Sequence, residues 1–180
     1  VKRWALIAGP RGTGKSSLAW RVVEALRARG VAVGGVIQDA VEREGERTGY
    51  VARRVMTPGT AAIARRGTPE APGETAVCSF AFDEGAFAEV RGWLANDARP
   101  AGILVIDEVS KLEASGSGHH DAIVDSLASE ALTILVVRAD QLFFVMERFG
   151  LDEPVASLET TSPDHVERFV EVLASAVGAP

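Results

Sequence analysis

Gly9-Pro10-Arg11-Gly12-Thr13-Gly14-Lys15-Ser16 is the stretch that leaves this chain the fewest options. It follows an apolar run, Trp4-Ala5-Leu6-Ile7-Ala8, and leads into a helical pattern, Leu18, Val22, Ala25 and Leu26. A G-x-x-x-x-G-K-[ST] loop between a buried strand and an amphipathic helix is a phosphate-binding cradle. Its glycines let backbone N–H groups turn inward on an anion without Cβ clashes. The helix behind it aims its partial positive charge at the same point. Lys15 has the reach for β- and γ-phosphate oxygens, and Ser16 can give its hydroxyl to Mg²⁺. The nucleotide-binding set is therefore Gly9, Pro10, Arg11, Gly12, Thr13, Gly14, Lys15, Ser16 and Ser17.

Beyond the first helix, Gly30 is a stop signal and Val31–Gln38 reads as a buried strand, with Gly34-Gly35 marking close backbone approach to the loop or a neighbouring strand. Asp39–Gly49 reads as a loop or hairpin turn, Tyr50–Met56 as a strand, and Thr60–Arg66 as a short helix. Gly67–Glu74, with Pro69, Pro72 and Gly73, reads as a loop, and Thr75–Phe82 as a strand. Asp83 can cap a helix bearing Phe87, Val90 and Leu94. Strands at Ala101–Ile106 and Leu132–Val137 alternate with helices through Ile123, Val124 and Leu127, and through Leu142, Met146 and Phe149. Val155–Leu158 is a short strand, and Ser162-Pro163 opens a last helix with Val166, Phe169, Val170, Leu173 and Val177 on one stripe. The alternation predicts one α/β domain over 1–180, a mostly parallel sheet flanked by helices as a three-layer sandwich. Its ligand belongs at the carboxyl ends of the strands.

Composition narrows the partners. At 47% apolar and only 6% aromatic, the 180 residues suit one globular core, and no apolar run approaches the roughly 20 residues of a membrane helix. A net charge of −6 without a basic block argues against nucleic acid or anionic membrane as partners; Arg53, Arg54, Arg65 and Arg66 read as solvated surface. The first strand starts too early to leave room for a signal peptide, and the single cysteine, Cys78, reads as a small buried residue; both suit the cytoplasm.

The loop needs an acidic partner, and Ile103-Leu104-Val105-Ile106-Asp107-Glu108 supplies it. An acid ending a buried strand holds Mg²⁺ beside the phosphates, which makes Ser16 and Asp107 the metal candidates. Glu108 is then placed to orient or deprotonate an attacking water. Lys111 and Arg138 are candidate cations for charge developing on the γ-phosphate; for Lys111, a solvated pair with Glu113 is the competing reading. His119 and His120, in a Gly/Ser-rich loop, read as solvated or helix-capping rather than metal-binding, and His165 likewise.

These segments occur in an order that resembles a small P-loop nucleoside-triphosphatase family of the thermophile type. Gly9–Leu18, Gly34-Gly35-Val36, Gly45-Glu46-Arg47-Thr48-Gly49-Tyr50 and Asp107-Glu108-Val109-Ser110-Lys111-Leu112-Glu113 carry the likeness. It implies Mg²⁺-dependent hydrolysis of ATP, GTP and other nucleoside triphosphates to diphosphate and phosphate. Val36, Ser110 and Leu112 replace the family's Phe, Gly and Met, and Thr160-Thr161-Ser162-Pro163-Asp164-His165 stands where an Asn-Arg pair is usual. Lys111–Gly118 is also similar to a bacterial group of unassigned function found near molybdate-transport genes. Two other readings stay open. One is a small-molecule or nucleoside kinase with Arg65-Arg66 and Pro69–Gly73 as lid. The other is a nucleotide-gated adaptor in metal or molybdenum-cofactor handling that turns over only with a protein partner.

Overall fold

The computed structural model describes residues 2–179, and its first element is a strand of six consecutive buried residues, β1 (Trp4–Gly9). Alternation along β1 sends Trp4, Leu6 and Ala8 into one apolar cluster and Ala5 and Ile7 into another. The neighbouring β7 (Ile103–Val109) and β8 (Leu132–Arg138) divide the same way, Leu104, Ile106, Leu135 and Val137 against Ile103, Val105, Ile134 and Val136. A strand buried on both faces needs cover on both. On one face α1 (Lys15–Ala28) and α6 (Val166–Ala176) supply it through Leu18, Val22, Leu26, Phe169 and Leu173. On the other, α2 (Glu84–Asp97), α3 (Lys111–Ala114), α4 (His120–Ala128) and α5 (Leu142–Phe149) contribute Phe87, Val90, Leu94, Leu112, Ile123 and Val145. The α/β class and the helix–sheet–helix layering follow. No helix among the described residues is long and apolar enough to cross a membrane.

The sheet is mixed, which corrects the expectation of a mostly parallel one. Its nine strands run in the order β5-β6-β4-β3-β2-β7-β8-β1-β9. Parallel pairing joins β2 (Val33–Arg43), β7, β8, β1 and β9 (Ser157–Glu159). From β2 outward every pairing is antiparallel, through β3 (Glu46–Arg54), β4 (Thr60–Arg66), β6 (Phe80–Asp83) and β5 (Glu74–Val77). The physical reason is connection length: a two-residue turn at Glu44-Gly45 can join only antiparallel neighbours, whereas parallel ones need a crossover. Of the two readings of Asp39–Gly49 the hairpin holds, with its turn at Glu44-Gly45 and most of the segment in the two strands. Thr60–Arg66 is a strand and not a helix, because Ala61 and Ala62 pair with Ala52 and Val51, and Ile63 is buried. Thr75–Phe82 is two strands around an exposed turn, and Cys78 sits in that turn, exposed rather than buried.

Several end signals hold. Asp83 caps α2 by accepting from the Gly85 and Ala86 N–H groups at 2.8 and 3.1 Å. Gly150 ends α5, while Ala139–Gln141 and Pro163–His165 open α5 and α6 as 3-10 turns. The helix expected through Ile123, Val124 and Leu127 is α4, with Ile123 and Leu127 buried and Val124 exposed.

Gly35 is the close approach. Its φ of 113° suits glycine, and a Cβ there would strike the backbone carbonyl of Val105 on the neighbouring strand. Its N–H donates to the buried Asp97 carboxylate at 3.1 Å, which also pairs with Arg54. Gly35→Ala is expected to cost about 3 kcal/mol, from overpacking and backbone strain together, read as a lower urea midpoint at unchanged slope.

Candidate active site

The loop between β1 and α1 lies at the carboxyl edge of the parallel strands, as the strand–loop–helix order requires. Pro10–Gly14 are exposed and Gly14, at φ 84°, turns the chain into α1, whose first residue is Lys15. Lys15 is only 4% exposed; its Nζ donates to the Pro10 carbonyl at 3.1 Å and lies 3.5 Å from Glu108 Oε2. Ser16 is half-buried and Ser17 exposed. Thr13 Oγ1 donates to the Pro10 carbonyl at 2.8 Å and accepts from Thr160 Oγ1 at 3.0 Å. The Thr160 segment, which departs from the family pattern, thus braces the loop from beyond β9.

Asp107 and Glu108 lie near the end of β7, just before its final residue Val109, two strands away from β1 with β8 between. Asp107 is fully buried: Oδ2 accepts from the Gln38 N–H at 3.1 Å, and Oδ1 has no partner among the described residues. Burial pushes its carboxyl up to about 7; the Ser16 hydroxyl, the Gln38 N–H and the Lys15 charge pull the other way, and Glu108 adds to the rise. A buried, unsatisfied carboxylate oxygen beside a serine hydroxyl is an all-oxygen donor set that fits a small hard divalent cation. Ser16 and Asp107 are the residues that could hold one.

Arg138 ends β8 beside Glu108 and is held by Asp140 at 2.6 Å, which raises the guanidinium's pKa. Lys111 is exposed, lies on the same cavity wall as Glu108 and Arg138, and has no ion-pair partner among the described residues. Glu113 is not its solvated mate. The carboxyl is 2% exposed and accepts from the Ser110 N–H at 2.9 Å and the His119 N–H at 3.2 Å, so it orders the segment that carries Lys111. The signal was the Ser110-x-x-Glu113 spacing of a capping box.

The arginines read as surface are each paired: Arg53 with Asp39, Arg54 with Asp97, Arg65 with Glu74 and Arg66 with Glu46. The Arg65-Arg66 lid read for a kinase therefore presents no unpaired guanidinium.

His119 is a further correction: it is 1% exposed, edge-on to Phe87 at 4.8 Å between ring centroids, with both ring nitrogens unpartnered among the described residues. Burial lowers its pKa to about 4 and raises that of Glu113 to about 7. The signs oppose. Stability tied to neutral His119 is present above pH 6.5 and lost as pH falls through 4. Stability tied to protonated Glu113 is present below pH 4.5 and lost as pH rises through 7. His119→Phe keeps the ring contact and removes the first effect. Relative to wild type it is expected to gain about 2 kcal/mol more at pH 5 than at pH 7, measured by urea unfolding at both.

A phosphate loop facing an acidic strand end across one intervening parallel strand defines a P-loop nucleotide-handling protein. The chain belongs to the NTPase family, whose sequence model matches residues 5–165, and by that membership it is a nucleoside-triphosphatase enzyme. It is 30% identical over 136 residues to nucleoside-triphosphatase THEP1 of Thermococcus kodakarensis, covering 73% of each chain. Its fold matches the solution structure of a human cancer-related nucleoside triphosphatase with a TM-score of 0.70, at 20% identity, over 98% of this chain and 97% of the other.

Proposed function

We propose that the chain is a Mg²⁺-dependent hydrolase that cleaves ATP, GTP and other nucleoside triphosphates to diphosphate and phosphate. The observation that carries this reading is the convergence of the Lys15 ammonium on Glu108, beside a buried Asp107 oxygen with no partner among the described residues. Backbone N–H groups of Gly12 to Ser16, with Lys15, take the phosphates. Ser16 and Asp107 would hold Mg²⁺, which would supply charge neutralisation to the phosphates. Glu108, 27% exposed, reaches solvent and positions the attacking water. Lys111 and Arg138 stand where charge develops on the γ-phosphoryl oxygens, the Arg138 fork already ordered by Asp140. The reading extends to one domain acting in the cytoplasm on free nucleotides.

The test is initial phosphate release from ATP, GTP, CTP and UTP with Mg²⁺, repeated with excess EDTA. Release from all four that stops on chelation and returns with added Mg²⁺ is expected. Release that survives chelation contradicts the metal assignment.

A further inference from the structure

A cavity of about 230 Å³ shares Arg11 and Gly12 of the loop, Glu108, Lys111 and Arg138 with the candidate active site and continues past them onto residues that site does not use, Arg47, Tyr50, Phe80 and Phe82. It lies between the antiparallel extension of the sheet and the segment after β7. One wall is aromatic: Tyr50 and Phe80 meet at 5.1 Å between centroids, and Phe82 stacks on Phe87 at 6.1 Å. The end toward the loop carries Arg11, Arg47, Lys111 and Arg138, against the carboxyls of Glu108 and Glu113. Both Glu113 oxygens are taken up by backbone N–H groups, so that carboxyl is not free to receive a cation. Arg47 lies over the Tyr50 ring at 5.6 Å; its terminal nitrogens face the Glu42 carboxylate at 3.6 Å and the Tyr50 hydroxyl at 3.4 Å, and only its Nε is buried without a partner among the described residues. A buried guanidinium N–H left unsatisfied above an aromatic wall is a place for an anionic acceptor attached to a flat ring.

We propose that the far part of this cavity is a small-molecule subsite adjoining the active site, for a planar aromatic ligand carrying an anionic group, which stacks on the Tyr50, Phe80 and Phe82 wall and pairs with Arg47. The volume is below the roughly 300–1,000 Å³ of drug-sized sites, which limits the ligand to one or two rings. The position places the ligand beside the terminal phosphate of a bound nucleotide, with Arg138 and Lys111 shared between them. That adjacency rests on the hydrolase reading above; the affinity for the ligand does not.

The protein's one cysteine gives a direct reporter, because Cys78 is exposed and lines this cavity. The probe is 2-naphthoate, with naphthalene and cyclohexanecarboxylate as controls lacking the anion and the ring. Saturable one-to-one binding of 2-naphthoate is expected, at least tenfold tighter than either control. Saturating probe is expected to slow alkylation of Cys78 by iodoacetamide at least tenfold in the wild-type protein. Arg47→Gln and Phe80→Ala are each expected to weaken the probe at least tenfold, whereas Lys15→Ala leaves its binding intact while nucleotide binding is lost. No saturable binding, binding that leaves Cys78 equally reactive, or equal binding of the controls would overturn the proposal. Probe binding that persists in a protein shown not to hydrolyse nucleotides would leave this site standing and sink the hydrolase reading alone.

Discussion

Glu108→Gln is expected to lower phosphate release by about 10²- to 10⁴-fold, the span that a positioned general base contributes. Nucleotide affinity should stay within about threefold of wild type, since Gln keeps the shape and the carbonyl oxygen but cannot take a proton. The geometry explains the separation. Glu108 lies 3.5 Å from Lys15 and reaches solvent, where a water can approach, whereas the phosphate contacts come from the loop backbone and Lys15. Fluorescent-nucleotide titration and phosphate release, measured on the same preparation, check both halves. A Gln variant that hydrolyses at wild-type speed removes the role assigned to Glu108.

Lys15→Ala should lose affinity and rate together. A hydrogen bond to a charged group is worth about 1.5–3 kcal/mol, so losing the ammonium alone predicts at least a tenfold weaker nucleotide complex. The rate should fall a further 10²- to 10³-fold, because the same cation offsets charge on the transferring phosphoryl group. The variant also removes the nearby ammonium, whose charge helps Asp107 to ionise. Loss of nucleotide binding with an unchanged rate at saturation contradicts the shared role.

The loop and the Asp107-Glu108 pair were legible in sequence because their chemistry sits in short fixed spacings beside apolar runs. The paired acids on Arg53, Arg54, Arg65 and Arg66 were not, since each partner arrives from another strand or helix. Ala61–Ala64 favours helix locally, and only pairing with β3 makes it a strand. Strand direction was equally hidden, because it depends on whether a connection is a tight turn or a crossover. Cys78 lies in an apolar stretch but occupies the turn that splits it into β5 and β6. His119 is polar and lies in a glycine-rich loop, yet Glu113 holds its N–H and Phe87 covers its ring. The cavity was least legible, because its wall is assembled from β3, β6, α2 and the turn after β7.

The most direct test of the central claim is steady-state release of phosphate from ATP by the wild-type protein with Mg²⁺, with diphosphate quantified alongside. The expected result is equimolar ADP and phosphate at about one turnover per minute or faster, within the range above the slowest unassisted P-loop hydrolases. Tight nucleotide binding with no phosphate released, or ADP formed without free phosphate, would contradict the account.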